Sequence, residues 1–247
     1  IVFCGVDFMA ETAKLLAPDK LVLLPDRDAG CPMADMVTPE ALRALKAQHP
    51  GVPVVTYVNS SAAVKAASDY CCTSGNAVEV VEAIDAPEII FTPDGNLGRY
   101  VRRITGRELI IWEGRCPVHD RITAEMVRER KREFPSALVV AHPECRGEVL
   151  ELADAVTSTS GMFRVVEESG AKEVIVLTEA GMGHPLSRKF PEVRFIFPAA
   201  EPLCPDMKLI TPEKVEKALQ ELQPRVTVPE DIRLNAILSV ERMLAIG

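Results

Sequence analysis

Cys31-Pro-Met-Ala-Asp-Met-Val-Thr-Pro-Glu40 occurs three times in this chain, returning as Cys116-Pro-Val-His-Asp-Arg-Ile-Thr-Ala-Glu125 and as Cys204-Pro-Asp-Met-Lys-Leu-Ile-Thr-Pro-Glu213. Each copy has Cys-Pro, an apolar residue six positions on, Thr at seven and Glu at nine; the copies lie 85 and 88 residues apart. Shifting residues 31–74 by 85 lands on 116–159 without a gap. Cys31 then falls on Cys116, Tyr57 on His142, Asn59 on Glu144, Asp69 on Asp154 and Ser74 on Thr159. Self-similarity at a fixed period marks repeated supersecondary units. Three equivalent cysteines in three equivalent units suggest thiolates converging on one axis.

Outward from these motifs, short Val- and Ile-rich runs alternate with helix-sized segments. The runs Ile1–Cys4, Lys20–Leu24, Pro53–Val58, Glu88–Thr92, Glu108–Trp112, Ala137–Ala141, Glu173–Leu177 and Val193–Phe197 are mostly not alternating, as buried parallel strands should be. Between them, Ala41–Gln48, Ala62–Ser68, Ala77–Ala83, Ala124–Glu133 and Glu213–Leu222 predict helices. Thr38-Pro39-Glu40 and Thr211-Pro212-Glu213 are helix starts, with Thr as N-cap and Pro at the first helical position. The expected class is α/β, with three similar parallel-sheet units around a pseudo-threefold axis. The units are residues 1–51, 52–136 and 137–223, followed by a closing helix in 224–247. The first unit starts only at its third strand, since Ile1-Val2-Phe3 matches Ile89-Ile90-Phe91. A fragment lacking roughly 37 residues of front half is therefore expected.

Composition excludes several classes. The net charge is −8 with both signs intermixed, so no basic face for nucleic acid is expected. The cluster Arg128-Glu129-Arg130-Lys131-Arg132 reads as a solvated helix face. No apolar run reaches a membrane-spanning length, and the first residues do not read as a signal peptide. Seven cysteines without a secretory signal fit a reducing cytoplasm and unpaired or metal-bound thiols.

The chemistry-bearing residues follow the repeat. In open α/β sheets, ligands bind beyond the carboxyl ends of strands. Two strands end there in paired polar residues, Tyr57 with Asn59 and His142 with Glu144, and alternation puts each pair on one side of the chain. Cys72-Thr-Ser-Gly-Asn-Ala77 and Thr157-Ser-Thr-Ser-Gly-Met162 follow short strands and precede helices, so either can cap its helix or hold an anion. Cys31, Cys116 and Cys204 are read as ligands. Zinc is one option; a four-iron cubane with one open iron suits three equivalent sites better. Cys4, Cys71, Cys72 and Cys145 break the repeat and read as core or loop thiols. His119 is open between a role near the cluster and a surface or capping one, and His49 and His184 read as helix-end or loop residues.

With these stretches in view, the chain resembles the quinolinate synthase family. The resemblance is carried by Gly5-Val-Asp-Phe-Met-Ala-Glu-Thr12, Tyr57-Val-Asn-Ser60, Cys72-Thr-Ser-Gly-Asn-Ala-Val78, Pro93-Asp-Gly-Asn-Leu-Gly98, His142-Pro-Glu144, Ser158-Thr-Ser-Gly-Met162 and Cys204-Pro-Asp-Met-Lys208. It implies condensation of iminoaspartate with dihydroxyacetone phosphate to quinolinate, releasing phosphate and water, in de novo NAD biosynthesis. It also implies a 4Fe-4S cluster on Cys31, Cys116 and Cys204 whose open iron is a Lewis acid. Substrate contacts are implied for Tyr57, Asn59, Ser74, Ser158 and Thr159, proton transfer also for Tyr57, and a catalytic pair for His142 and Glu144. Iminoaspartate is expected from an L-aspartate oxidase or dehydrogenase. The family's front segment, with a His-x-Tyr motif and an Asp-Ser pair, is not in this sequence, so this fragment alone is expected to be inactive or impaired. The rival class is an iron–sulfur electron-transfer or sensor protein, which needs no substrate-facing polar pairs.

Overall fold

The computed structural model describes residues 1–198 and 202–246. The chain divides into two compact units, Ile1–Gly114 with Pro205–Gly247, and Arg115–Cys204. Each contains one four-stranded, all-parallel sheet, so the expected α/β class is the class found.

In the first unit the strands are β1 (Val54–Tyr57), β2 (Tyr70–Cys72), β3 (Glu88–Thr92) and β4 (Glu108–Ile111), in the order β2-β1-β3-β4. In the second they are β5 (Leu138–Ala141), β6 (Ala155–Val156), β7 (Glu173–Leu177) and β8 (Arg194–Ile196), in the order β6-β5-β7-β8. The pairing repeats residue by residue. Val55 pairs with Tyr70 in one sheet and Val140 with Ala155 in the other, both displaced by 85. A carboxylate at the sheet edge repeats too. Asp69 accepts from the Val54 N–H at 2.8 Å, and Asp154 accepts from the Val139 N–H at 2.8 Å. Each sits beside a lysine, Lys46 at 3.3 Å and Lys131 at 3.8 Å.

The sheets are sandwiched by amphipathic helices, as their unbroken apolar strands require. Val37, Leu42, Val54, Val64 and Ile90 form a core on the first sheet; Val140, Met162, Val166, Val174, Val176, Leu186 and Phe190 form one on the second. Gly98 lets helix Gly95–Thr105 lie close on its sheet, because a Cβ there would stand 3.0 Å from Phe91 and 3.1 Å from Ile111. The predicted closing helix is Glu230–Ile246, with Pro229 just before it; Gly247 lies outside the described residues. This helix buries Ala236, Ser239, Val240 and Met243.

Helices Ala77–Ala83 and Ala124–Glu133 have their predicted bounds, and Pro39–Gln48 and Pro212–Glu221 start one or two residues early, at the prolines. Predicted helix Ala62–Ser68 stops at Ala66. Predicted strands Ile1–Cys4 and Lys20–Leu24 differ more: they meet only in a single parallel bridge, Val2 with Leu23. Leu23 also bridges Arg225 antiparallel, but isolated bridges are too short to make a ladder.

Candidate functional site

The three Cys-Pro motifs share one local construction. Thr38, Thr123 and Thr211 each accept from the N–H three residues on, at 3.2, 3.4 and 3.4 Å, capping the helix that follows. Upstream, each Cys-Pro opens a short turn. The Cys31 carbonyl accepts from Asp35 N–H (3.2 Å) and the Cys116 carbonyl from Asp120 N–H (2.9 Å); a 3-10 turn over Met207–Leu209 follows Cys204. All three thiols are partly exposed. Cys71, Cys72 and Cys145 are instead buried, and burial raises the pKa of Cys71 and Cys72, keeping them as thiols. Of the non-motif cysteines, Cys4 alone is exposed. The motif cysteines thus sit at chain turns with partly exposed thiols, whose chemistry suits a thiolate-held metal, while the buried Cys71 and Cys72 are held protonated.

In the second unit, His142 and Glu144 sit where β5 ends, both almost fully buried. The Glu144 backbone N–H donates to His142 Nδ1 at 3.4 Å, which leaves the proton of a neutral ring on Nε2. Burial, opposed by the Glu144 charge and reinforced by His119, lowers the His142 pKa to about 4, so the ring is neutral at pH 7.

His119 completes this group. Its ring stacks on His142 with centroids 4.6 Å apart and 23° between planes. Its Nε2 is 2.9 Å from Thr178 Oγ1, and its Nδ1 is 2.8 Å from Glu144 Oε2 without the alignment of a hydrogen bond. Cys116, His119 and Glu144 each present one ligand atom, all within 4.8 Å of one another, so these three could hold a metal ion. The turn Pro117–Asp120 that carries His119 is clamped by Arg146, which donates twice to Asp120 at 3.1 Å. Beyond β7, Glu179 accepts from Gly181 N–H at 2.7 Å and from Cys204 N–H at 3.3 Å. The same strand end thus holds His119, through Thr178, and the Cys204 backbone.

Ser158 and Thr159 open helix Thr159–Ser169. Ser158 is the N-cap, accepting from Gly161 N–H at 3.2 Å, and Thr159 is exposed. In the first unit, Tyr57 ends β1 and is buried, and Asn59 follows in a turn. Ser60 Oγ donates to the Tyr57 carbonyl at 2.9 Å. Ser74 is partly buried in the loop after β2, where Asn76 Oδ1 accepts from the Thr73 N–H and hydroxyl at 2.7 and 2.8 Å. Tyr57, Asn59 and Ser74 thus lie at the carboxyl end of one sheet, and His142, Glu144, Ser158 and Thr159 at that of the other.

Sequence reasoning did not assign Thr178 or Glu179 and left His119 open. The spacing of His119 from Cys116 was a signal; its burial against Thr178, 59 residues on, was not readable from the repeat.

A model of the family described as Quinolinate synthetase A protein matches residues 1–245. Among curated proteins, the quinolinate synthase of Geobacter sp. (strain M21) is 56% identical over 246 residues, covering 100% of this chain and 81% of that protein. The quinolinate synthase of Desulforudis audaxviator (strain MP104C) is 54% identical over 247 residues, covering 100% and 82%. Quinolinate synthase 1 of Methanosarcina acetivorans is 51% identical over 246 residues, covering 100% and 81%. The site geometry and these likenesses lead to one statement of kinship: the chain belongs to the quinolinate synthetase A protein family.

Proposed function

We propose that the intact protein carries out the quinolinate synthase step of de novo NAD biosynthesis in the cytoplasm, as a condensing and dehydrating transferase. Iminoaspartate and dihydroxyacetone phosphate condense to quinolinate with release of phosphate and water, the iminoaspartate coming from an L-aspartate oxidase or dehydrogenase. Cys31, Cys116 and Cys204 would hold a 4Fe-4S cluster, which supplies a Lewis acid at its open iron. The reading takes the chain as three similar α/β units around a pseudo-threefold axis, one for each of these cysteines.

The observation that carries the proposal is the buried His142–Glu144–His119 group beside Cys116. A neutral His142 donates from Nε2 to a substrate oxygen and orients it. Glu144 takes and returns the protons that successive dehydrations move, with the His119 ring packed beside its carboxylate. Tyr57 and Asn59 bind a substrate carboxylate, with Tyr57 also placed for proton transfer. Ser74, Ser158 and Thr159 bind carboxylate or phosphate through hydroxyls and free N–H groups at helix starts, which lets an acidic chain take anionic substrates without a lysine cluster.

The test is quinolinate formation from the two substrates by anaerobically purified protein. Glu144→Gln is expected to lower kcat roughly 10²–10⁴-fold with iron content unchanged. Wild-type turnover in Glu144→Gln would remove Glu144 as the acid/base, and no quinolinate from cluster-loaded wild type would return the protein to the electron-transfer or sensor class.

A further inference from the structure

Lys65 is a buried cation that the reading above does not use. It lies in helix Ala62–Ala66 with none of its surface exposed. Its Nζ donates to the Ser60 carbonyl, and Nζ stands 5.6 Å from the Phe8 ring centroid. Glu11, Asp7 and Cys71 are the titratable groups around it. Glu11 anchors the start of the same helix, accepting from Ala62 N–H at 2.7 Å. From the closing helix, Ser239 Oγ donates to the Lys65 carbonyl at 3.0 Å and lies 3.3 Å from Cys71 Sγ. Burial draws the Lys65 pKa down to about 8, so it still carries its charge at pH 7.

The internal repeat gives the comparison that decides what this lysine is for. Under the 85-residue shift, helix Ala62–Ala66 falls on helix Gly147–Leu150, and Lys65 falls on Leu150, which is also buried. The fold is therefore satisfied by a leucine at this position. A buried charge costs more than an apolar residue of similar volume unless its polar contacts do something specific. The hydrogen bond from its ammonium points at the turn that follows β1. Lys65 holds the Ser60 carbonyl, Ser60 Oγ holds the Tyr57 carbonyl at 2.9 Å, and Thr56 Oγ1 is 3.5 Å from Ser60 Oγ. Tyr57 and Asn59 lie in that turn.

We propose that Lys65 is a positioning residue: its ammonium, bonded to the Ser60 carbonyl, fixes the turn that presents Tyr57 and Asn59 to substrate. The proposal rests on the reading that these two residues contact substrate. A fixed turn lowers the ordering cost of binding, so the effect belongs in KM more than in kcat. The buried cation also lies behind a turn that receives an anion in a chain of net charge −8.

The experiment compares holoenzyme carrying Lys65→Leu, Lys65→Met, Tyr57→Phe and Ser60→Ala. For the substrate whose KM rises in Tyr57→Phe, Lys65→Leu and Lys65→Met should raise KM roughly tenfold, with kcat changed by less than about threefold. Their Tm is read alongside, since the substitution also leaves the largely buried Glu11 without its neighbouring cation. A loss of stability with KM unchanged would make Lys65 a purely structural residue and overturn the proposal. Should the lysine variants fail to fold, Ser60→Ala cuts the next link while leaving Lys65 in place. It should raise the same KM by roughly threefold, the scale of one weak hydrogen bond. An unchanged KM in Ser60→Ala overturns the proposal. If Tyr57→Phe raises KM and Lys65→Leu does not, this inference alone fails; if Tyr57→Phe leaves both KM values unchanged, the substrate reading of the turn fails and takes the inference with it.

Discussion

The turn after β1 and the turn after β5 occupy the same place in two sheets of the same order and register, yet they carry different chemistry. One offers Tyr57 and Asn59, the other His142 and Glu144. Their supports differ as well. Behind the first turn are a lysine and a serine, Lys65 and Ser60; at the matching positions behind the second are Leu150 and Cys145. Against the second turn lies His119 instead, stacked on His142 and 2.9 Å from Thr178 just beyond β7. A repeated scaffold thus fixes where polar groups emerge, and the residues packed behind each turn decide what they do. On the proposed reading, the first end mainly binds a substrate carboxylate and the second mainly moves protons.

That contrast can be broken most sharply by His142→Asn, which should lower kcat by about 10²-fold or more with KM little changed, measured as steady-state quinolinate formation. Asn59→Ala should do the reverse, raising KM by roughly tenfold with a smaller change in kcat. Equal effects of the two on kcat would erase the division of labour.

A smaller effect concerns stability against pH. His142 has a pKa of about 4 in the fold against an ordinary 6.5, so between those values the unfolded chain binds a proton that the folded one does not. Stability supplied by the neutral ring is therefore complete above pH 6.5 and lost as pH falls toward 4, by up to about 3 kcal/mol. Urea titrations at pH 7 and pH 5 should show that loss in wild type, and His142→Asn should flatten it. The mildest test concerns what the two sheets share. Asp69→Ala and Asp154→Ala each remove a carboxylate accepting from a strand N–H at 2.8 Å, and each should cost about 2 kcal/mol. Unequal losses would show that the repeated staple is not equivalent in the two units.

Much of the fold and of the site is legible in the sequence because the signal is periodic. The 85-residue shift that aligns Tyr57 with His142 also puts Val55–Tyr70 and Val140–Ala155 in the same pairing. β3 and β7 have their predicted bounds, since a central parallel strand is an uninterrupted buried run. Long-range support is what local sequence does not carry. His119 is buried by Thr178, Lys65 by a helix 174 residues further on, and neither neighbour leaves a trace in local spacing. Ile1–Cys4 and Lys20–Leu24 have strand composition but only isolated bridges, Val2 with Leu23 and Leu23 with Arg225, because a ladder needs continuous neighbours as well as β-branched residues.

If the three repeat-equivalent cysteines hold a cluster, iron and acid-labile sulfide after anaerobic reconstitution will report it. Wild-type chain should hold about four of each. Cys31→Ala, Cys116→Ala and Cys204→Ala should each lose most of both, while Cys71→Ala and Cys145→Ala retain them. A Cys116→Ala chain that binds iron and sulfide as wild type does, or a wild type that binds neither, would contradict the account.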